Sequence, residues 1–245
     1  LATEHLERQV EDPALRAKLM PRFSPGCKRL LMSNDYYPAL ARPNVEVVTD
    51  AIEAVTPTGV VTAGGRERPV DVIITATGFR VTDNPFAERI HGSDGRSLAE
   101  VWREHGQQAY LGVAVNGFPN LFLLLGPNTG LGHTTVVFMI EAQVGYIRAA
   151  LRRLRRRRGS VLEVRHDVQA RFNAELQRKL AGSVWNTGGC ASWYLDSRGR
   201  NTTMWPDFTW KYALQMRRFD AAAYTIEGPQ LPVPEKQASL RRVGL

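Results

Sequence analysis

We expect the chain to be organised around the stretch Asn120-Leu-Phe-Leu-Leu-Leu125, Gly126-Pro-Asn-Thr-Gly-Leu-Gly-His-Thr-Thr135 and the segment that continues to Leu151. The apolar run after Asn120 lies between Pro119 and Gly126, which is typical of a strand covered on both faces. A short buried helix is the alternative. The stretch predicts a strand, a glycine-rich turn and a long helix in immediate succession, as in an α/β fold.

The helix is predicted to begin near Thr135, because apolar residues recur at intervals of three and four from Val136 to Leu151. Thr134 or Thr135 can cap its first turn, and the arginines at 152–158 complement its negative C-terminal end. The free amides at its start favour an anion or an electron-rich ring oxygen, so a cofactor site is one interpretation. A tight structural turn stays equally open, because the turn matches neither a phosphate loop nor the dinucleotide fingerprint.

Composition indicates a globular protein. A chain of 245 residues with 43% hydrophobic residues can form one large or two small domains. The longest apolar run is about six residues, far below the roughly 20 that span a bilayer, and no signal-peptide pattern opens the chain. We therefore expect a cytoplasmic protein without a membrane span. Cys27 and Cys190 show no zinc spacing, so we expect both to be reduced and no metal site.

The net charge of +8 raises the question of nucleic-acid binding. The charge is concentrated in the arginine run at 152–158, which a solvated helix end explains, and in scattered arginines elsewhere. No recognised nucleic-acid-binding module accompanies this charge. We expect no nucleic-acid partner.

The N-terminal region is predicted to be helical from Glu4 to Met20, with a break at Pro13. A proline- and glycine-containing loop follows and carries the adjacent cations Lys28 and Arg29. This pair is either a solvated basic pair or part of an anion-binding site. The sequence leaves both open.

Short strands are predicted between residues 44 and 77, separated by turns at 56–59 and 64–65. The predicted strands are Val45–Val48, Ala51–Val55, Gly59–Thr62 and Asp71–Thr77. The last is apolar in its centre, as in the interior of a parallel sheet. Gly78 would let the end of that strand approach a ligand closely.

The second half is predicted to contain a helix over 97–105, capped by Ser97 with Glu100 three residues later. A strand at 161–164 and an amphipathic helix at 168–180 follow. Residues 184–224 are rich in aromatic side chains, most of which are expected to pack on the fold, while one or two can form a ligand lid. We expect residues 228–245 to be disordered.

Four segments together resemble the C-terminal half of a flavin-dependent Baeyer-Villiger monooxygenase, within the flavin-containing monooxygenase group. The segments, in chain order, are Gly26-Cys-Lys-Arg29 with Asn34-Asp-Tyr-Tyr37, Asp71 to Phe79, Gly117-Phe-Pro-Asn-Leu-Phe122 with Gly126-Pro127, and Ala191-Ser-Trp-Tyr194. The resemblance covers roughly residues 20–225.

The resemblance implies part of a fold with two dinucleotide-binding domains. Residues 1–25 would be a helical linker, 26–78 the C-terminal part of the NADP-binding domain, and 79–227 the C-terminal part of the FAD-binding domain. A small β-meander and a helical, aromatic-rich C-terminal region complete this expected α/β architecture, and 228–245 form the tail.

The resemblance also implies roles for the first group of site residues. Arg29 would be catalytic, because its counterpart lies beside the flavin and stabilises the anionic peroxyflavin and the tetrahedral adduct. A guanidinium suits this role because it keeps its charge at working pH. Lys28 would contact the 2′-phosphate that distinguishes NADPH from NADH. Trp193 would hydrogen-bond the ribose of that cofactor and help to close the site.

The remaining site residues would contact FAD. Thr77 and Gly78 are expected near the flavin nucleotide at a domain crossover. The glycine-rich turn is expected to place backbone amides near the pyrimidine end of the flavin ring system, and its members are Asn128, Thr129, Gly130, Leu131 and Gly132.

By this resemblance, the parent protein would use NADPH, FAD and O2 to insert one oxygen atom beside a ketone carbonyl, giving an ester or lactone through a peroxyflavin. Nitrogen or sulfur oxygenation is the close alternative, because pocket shape selects the substrate. The chain lacks both expected Gly-x-Gly-x-x-Gly motifs and the family's histidine-containing fingerprint. We therefore expect a missing N-terminal half, without which the chain would be inactive or only a partner-binding fragment.

Overall fold

The computed structural model describes residues 2–78, 84–156 and 160–228. The chain forms two compact units, the first comprising Leu1–Val81 with Gly188–Cys190, the second Thr82–Thr187 with Ala191–Leu245. Some sequence predictions lie outside the described residues. These concern Phe79, the end of the arginine run at 157–158, and the tail from residue 229 onward.

The first unit begins with two short helices, α1 (Ala2–Gln9) and α2 (Pro13–Leu19), and later contains α3 (Tyr36–Leu40). The predicted break at Pro13 is confirmed. Pro13 starts α2, and the side chain of Asp12 caps this helix by accepting a hydrogen bond from the Ala14 amide at 2.9 Å. Leu6 and Val10 are buried in this region.

A three-stranded antiparallel meander follows, with strands β1 (Ile52–Val55), β2 (Gly59–Thr62) and β3 (Arg66–Pro69) in sequential order. The predicted meander is confirmed, although β3 was not predicted. A Cβ atom at position 59 would lie 2.2 Å from the Arg68 carbonyl oxygen, so Gly59 permits the close pairing of β2 and β3. Hydrogen bonds from Thr56 and Thr58 hold the pKa of Glu67 below its usual value.

Two predicted strands of the first unit are wrong. Residues 45–48 and 71–77 belong to no strand, and Val72 and Ile74 are 76% and 87% exposed. A strand forms only where a neighbour completes its hydrogen-bond ladder, and neither segment is paired within the described residues. The apolar run at 72–74 therefore indicated a surface suited to burial, but it did not show that a neighbouring strand is present to pair with it.

In the second unit, the helix predicted at 97–105 is confirmed as α4 (Leu98–His105). The Ser97 hydroxyl accepts from the Glu100 amide, and the Glu100 carboxylate accepts from the Ser97 amide at 2.7 Å, which completes a capping box. These hydrogen bonds lower the pKa of Glu100. Leu98 and Trp102 pack in an apolar cluster with Val115, Phe118 and Leu123.

The second unit also contains the 20-residue helix α5 (Val136–Arg155), which Thr135 caps as predicted. The further elements are β4 (Val161–Val164), α6 (His166–Leu180), α7 (Val184–Thr187), α8 (Thr209–Met216) and β5 (Tyr224–Glu227). Strands β4 and β5 pair antiparallel. The predicted strand at 161–164 is thus confirmed, and the helix predicted at 168–180 begins two residues earlier.

Helix α5 has two apolar faces. One is buried in the main core and contributes Met139, Tyr146 and Ala150. Val137, Val144 and Leu151 lie on the other face and are exposed. The predicted periodicity therefore located the helix, but much of the apolar stripe faces away from the core of this unit.

The predicted strand Asn120–Leu125 is wrong. Asn120 and Leu125 have φ values of 60° and 52°, and this left-handed backbone is incompatible with an extended strand. Asn120 instead contacts β4, donating its amide to the Leu162 carbonyl and accepting from the Leu162 amide, both at 2.9 Å. Leu123 is buried, whereas Leu124 and Leu125 are exposed. The described residues therefore combine helices with two small antiparallel sheets.

Candidate functional site

The basic loop of the first unit places Lys28 and Arg29 directly after a buried residue, Cys27. Both cations are exposed. The Ser24 amide donates to the Gly188 carbonyl at 2.8 Å, and the Cys27 amide donates to the Ser24 carbonyl at 3.2 Å. The ammonium of Lys28 lies 5.0 Å from the centre of the Phe23 ring. An anchored turn therefore presents two adjacent cations to solvent, as an anion-binding loop requires.

The expectation that both cysteines are reduced is wrong, because Cys27 and Cys190 form a disulfide. Their Cα atoms are 6.1 Å apart, a usual separation for this bond. The two residues are 163 positions apart in sequence. Cysteine spacing alone could not reveal this pairing, because it depends on the tertiary structure that brings residues 188–190 into the first unit.

Thr77 and Gly78 end the exposed segment at 71–78 of the first unit. Gly78 has a φ of 81°, and nothing lies within 4 Å of the position that a Cβ would occupy. Glycine is therefore needed here for the backbone conformation rather than for close packing. The predicted close approach of this residue to a ligand stays a prediction.

The glycine-rich turn of the second unit packs against residues 201–205. The amides of Asn128 and Gly130 donate to the carbonyls of Thr202 and Thr203, both at 2.8 Å. The Trp205 amide in turn donates to the Gly130 carbonyl at 2.8 Å. Two of the amides that we predicted to face the flavin are therefore engaged within the protein.

The glycines of this turn permit close packing within the second unit. A Cβ at position 130 would lie 2.8 Å from the Thr203 carbonyl oxygen, and one at position 126 would lie 2.4 Å from the Gly112 carbonyl oxygen. A Cβ at position 132 would lie in ordinary contact with Met204 and Trp185. The structure is compatible both with a tight structural turn and with a cofactor site, because the turn packs tightly on one side while residues 132–138 are exposed.

Asn128 is the most constrained residue of the turn. It has a φ of 58°, is 3% exposed, and donates its side-chain NH2 group to the carbonyls of Asn201 and Met204 at 2.7 and 3.2 Å. Its side-chain oxygen, Oδ1, is buried without a hydrogen-bond partner in the described structure. A buried acceptor of this kind fits a hydrogen-bond donor from a bound molecule or an ordered water.

A buried polar chain holds the residues that lead into the turn. The Tyr212 hydroxyl donates to the Leu111 carbonyl at 2.7 Å and accepts from the Gln143 side chain at 3.0 Å. The carbonyl oxygen of that side chain accepts from the Leu125 amide at 3.0 Å. Burial raises the pKa of Tyr212, so the phenol stays protonated and donates. Gln143 of α5 thereby holds Leu125, which immediately precedes the turn, and Tyr212 of α8 holds Leu111.

Sequence reasoning missed Asn201, which is fully buried and organises the segment facing the turn. Its side-chain oxygen accepts from the amides of Thr203 and Met204, and its carbonyl accepts from the side chains of Asn128 and Gln177. The only sequence signal was a short polar run, Asn201-Thr-Thr203, before Met204 and Trp205. That run carries no motif for pairing with a glycine-rich turn.

Trp193 lies in the second unit and is 50% exposed. Its ring centre is 4.5 Å from that of Tyr194, which is buried. Leu131 is buried, and the Thr129 hydroxyl donates to the Gly126 carbonyl at 2.7 Å. The predicted site residues are thus divided between the units. Lys28, Arg29, Thr77 and Gly78 lie in the first, and the turn and Trp193 lie in the second.

Comparison with known proteins places these features in context. No family model matches the chain. It is 48% identical, over 246 residues and its whole length, to a Baeyer-Villiger monooxygenase of Pseudomonas aeruginosa, of which it covers 46%. It is 46% identical to a Baeyer-Villiger monooxygenase of Streptomyces coelicolor, with 94% of the chain and 44% of the relative covered. The whole chain thus resembles one part of a Baeyer-Villiger monooxygenase.

The same likeness extends to a solved Baeyer-Villiger monooxygenase structure. The crystal structure of OTEMO in complex with FAD and NADP matches with a TM-score of 0.79 and 27% identity, covering 92% of this chain and 43% of that one. The chain therefore spans less than half the length of the Baeyer-Villiger monooxygenases that it matches. It shares the backbone arrangement of the corresponding part of a flavoprotein with two dinucleotide-binding domains.

Within the described ranges, no cluster of three or more His, Cys, Asp or Glu side chains is arranged to hold a metal ion. No helix in those ranges has both the length and the apolar character needed to cross a bilayer.

Proposed function

We propose that this chain is the C-terminal part of an FAD- and NADPH-dependent monooxygenase that inserts one oxygen atom from O2 beside a ketone carbonyl, giving an ester or lactone. The observation that carries this proposal is the 48% identity to a Baeyer-Villiger monooxygenase, which extends over the whole chain. All candidate site residues therefore lie within the matched region. The solved OTEMO complex supports FAD and NADP as the cofactors.

Two observations support flavin binding by the second unit. The Asn128 side-chain oxygen is buried without a partner, and it suits the imide N–H that a flavin carries at its pyrimidine end. The first residues of α5 are exposed after the turn, so the helix start is accessible to a ligand. When bound, FAD would supply the redox and oxygen-activating chemistry. Thr129, Gly130, Leu131 and Gly132 would line the same turn.

In the first unit, Arg29 is the proposed catalytic residue. A guanidinium is a planar cation with several N–H donors, so it can stabilise an oxygen that gains negative charge during oxygen insertion. Its exposure on an anchored loop leaves it accessible to a cofactor and a substrate. Thr77 and Gly78 are proposed to contact the flavin nucleotide.

Selectivity for NADPH is assigned to Lys28. An exposed ammonium on a short loop suits the 2′-phosphate that NADH lacks. Trp193 is proposed to donate its indole N–H to the ribose of NADPH, and its half-exposed ring gives it surface with which to cover the site. Removal of the Lys28 charge should therefore weaken NADPH more than NADH.

The exposed apolar surface supports a second polypeptide region as a necessary partner. Leu31 and Met32 are 87% and 96% exposed, and they follow the basic loop directly. Val72 and Ile74 add a second apolar segment in the same unit. Apolar surface of this kind is typical of an interface. We propose that residues 26–78 complete an NADP-binding domain and 79–227 an FAD-binding domain, each together with a missing N-terminal half.

The same surface supports the alternative that this chain alone is inactive and only binds its complementary half. Nitrogen or sulfur oxygenation also remains an alternative reaction, because the shape of the substrate pocket selects among ketones, amines and thioethers. The proposed partners are thus O2, a ketone or related small molecule, and the remaining part of the protein.

Product analysis tests the proposal. The full-length polypeptide that contains this chain would be incubated with FAD, NADPH and labelled O2, once with a cyclic ketone and once with a thioether. We expect a lactone carrying one labelled oxygen atom. A sulfoxide with no lactone would establish the alternative reaction, and neither product despite bound FAD would refute the monooxygenase assignment.

A further inference from the structure

The disulfide between Cys27 and Cys190 lies next to the two cations of the basic loop in the first unit. These are the two cysteines of the chain, and they join the basic loop to the short segment 188–190. Cys27 is fully buried, whereas Cys190 is partly exposed. Beside the bond, the Ser24 amide donates to the Gly188 carbonyl at 2.8 Å. A covalent bond and a hydrogen bond thus fasten the same loop to the same segment.

Both cysteines are close in sequence to residues of the proposed cofactor site. Cys27 immediately precedes Lys28 and Arg29, and Cys190 lies three residues before Trp193. We propose that Cys27 and Cys190 form a reversible redox modification site, opened by low-molecular-weight thiols and closed by the corresponding disulfides, which controls the anchoring of the Lys28–Arg29 loop. The modification itself stands on the disulfide, and its effect on NADPH rests on the proposed function.

The exchange is balanced without any metal or further oxidant. A thiolate of the small thiol attacks the sulfur of Cys190, the more exposed of the two residues, and forms a mixed disulfide while Cys27 leaves as a thiolate and takes up a proton. A second small thiol then attacks the sulfur of the first small thiol, which releases the Cys190 thiolate. The protein disulfide is reduced by two electrons, and the two small thiols are oxidised to one small disulfide.

Opening the bond removes the covalent part of the anchor. The loop is then fastened by the hydrogen bond from Ser24 and by packing, so it samples more conformations. Lys28 and Arg29 follow Cys27 directly and share this freedom. A binding group that must first be ordered binds more weakly, so NADPH affinity should fall several-fold when the disulfide opens.

Peptide mapping tests the modification. The full-length polypeptide would be equilibrated in buffers that contain either reduced glutathione or glutathione disulfide, quenched with acid, and alkylated before proteolysis. We expect one cross-linked peptide containing Cys27 and Cys190 in the oxidising buffer, and the two cysteines separately alkylated in the reducing buffer. Absence of the cross-linked peptide in the oxidising buffer would overturn the proposal.

NADPH titration of the same samples tests the link to the cofactor. We expect several-fold weaker binding in the reducing buffer, and Cys190→Ser should bind with this weaker affinity in both buffers. Equal affinity of the wild-type protein in both buffers, with the cross-link present in one, would overturn the control of the loop. If no sample binds NADPH, the proposed function fails, while the peptide map still decides whether the redox site exists.

Discussion

The two units differ in how they bury their apolar residues. In the second unit, Met139, Tyr146, Leu180 and Tyr212 belong to one continuous core, and a second cluster forms around Trp102. In the described part of the first unit, the buried hydrophobic side chains are Leu6, Val10 and Cys27, while its longest apolar segments face solvent. The second unit is therefore stabilised by its own packing, whereas the first presents surface that another polypeptide region can cover.

This difference predicts that replacing a large apolar side chain with alanine will lower the free energy of unfolding by different amounts in the two units. Leu180→Ala removes a fully buried side chain from the second unit and should lower the free energy of unfolding by about 2–5 kcal/mol. Ile74→Ala removes an 87% exposed side chain from the first unit and should cost less than about 0.5 kcal/mol in this chain. All five tryptophans lie in the second unit, so tryptophan fluorescence during urea unfolding follows that unit for Leu180→Ala.

The matched measurement uses the full-length polypeptide. If a missing half covers the segment at 71–77, Ile74→Ala should become costly there, approaching the loss that is usual for a buried isoleucine. Circular dichroism, which reports on both units, would follow the Ile74 variant in both proteins. An equally small cost of Ile74→Ala in the full-length protein would show that this segment is not an interface.

The same contrast explains which elements could be predicted from the sequence. Helix starts depend on residues that are neighbours in the chain, so Pro13, the Ser97–Glu100 capping box and the Thr135 cap were located correctly. Strands depend on a distant partner. The apolar runs at 120–125 and 71–77 were therefore misassigned as strands. Apolar character indicates that a segment can be buried, but it does not identify the surface that buries it.

A second prediction separates the chemistry of the first unit from cofactor retention by the second. In the full-length polypeptide, Arg29→Ala should reduce ester formation by about 10²–10³-fold, the usual effect of removing one group that stabilises an anionic oxygen. FAD should remain bound, because the turn at Asn128 that we propose to contact it lies in the other unit. Product yield and flavin absorbance would measure the two effects.

The control for this variant is Arg22→Ala, which removes another exposed arginine from the same loop. It should leave the rate of ester formation close to that of the wild-type protein. Equal losses in the two variants would assign the effect to the overall charge of the loop. An unchanged rate in Arg29→Ala would remove this residue from the proposed catalytic role.

The candidate site could be predicted only in part. Lys28 and Arg29 are adjacent in sequence, so their shared loop followed directly from the chain. The turn at 128–132 was located by its glycines, but its partner at Asn201 was not, because hydrogen bonds between segments more than 70 residues apart leave no local pattern. For the same reason the Cys27–Cys190 bond was missed.

The third prediction concerns the polar chain that holds the entrance of the turn. Tyr212→Phe leaves the Leu111 carbonyl and the Gln143 NH2 group without their partner in a buried site. This should lower the free energy of unfolding of the second unit by about 1–3 kcal/mol. Tyr36→Phe is the matched change at an exposed tyrosine of the first unit, and it should leave the tryptophan-detected transition unchanged.

Because the Gln143 side chain also accepts from the Leu125 amide, loss of Tyr212 should loosen the start of the turn as well. Faster amide exchange at Leu125 in Tyr212→Phe, compared with Tyr36→Phe, would demonstrate this coupling, and equal exchange would show that Gln143 holds Leu125 without the tyrosine.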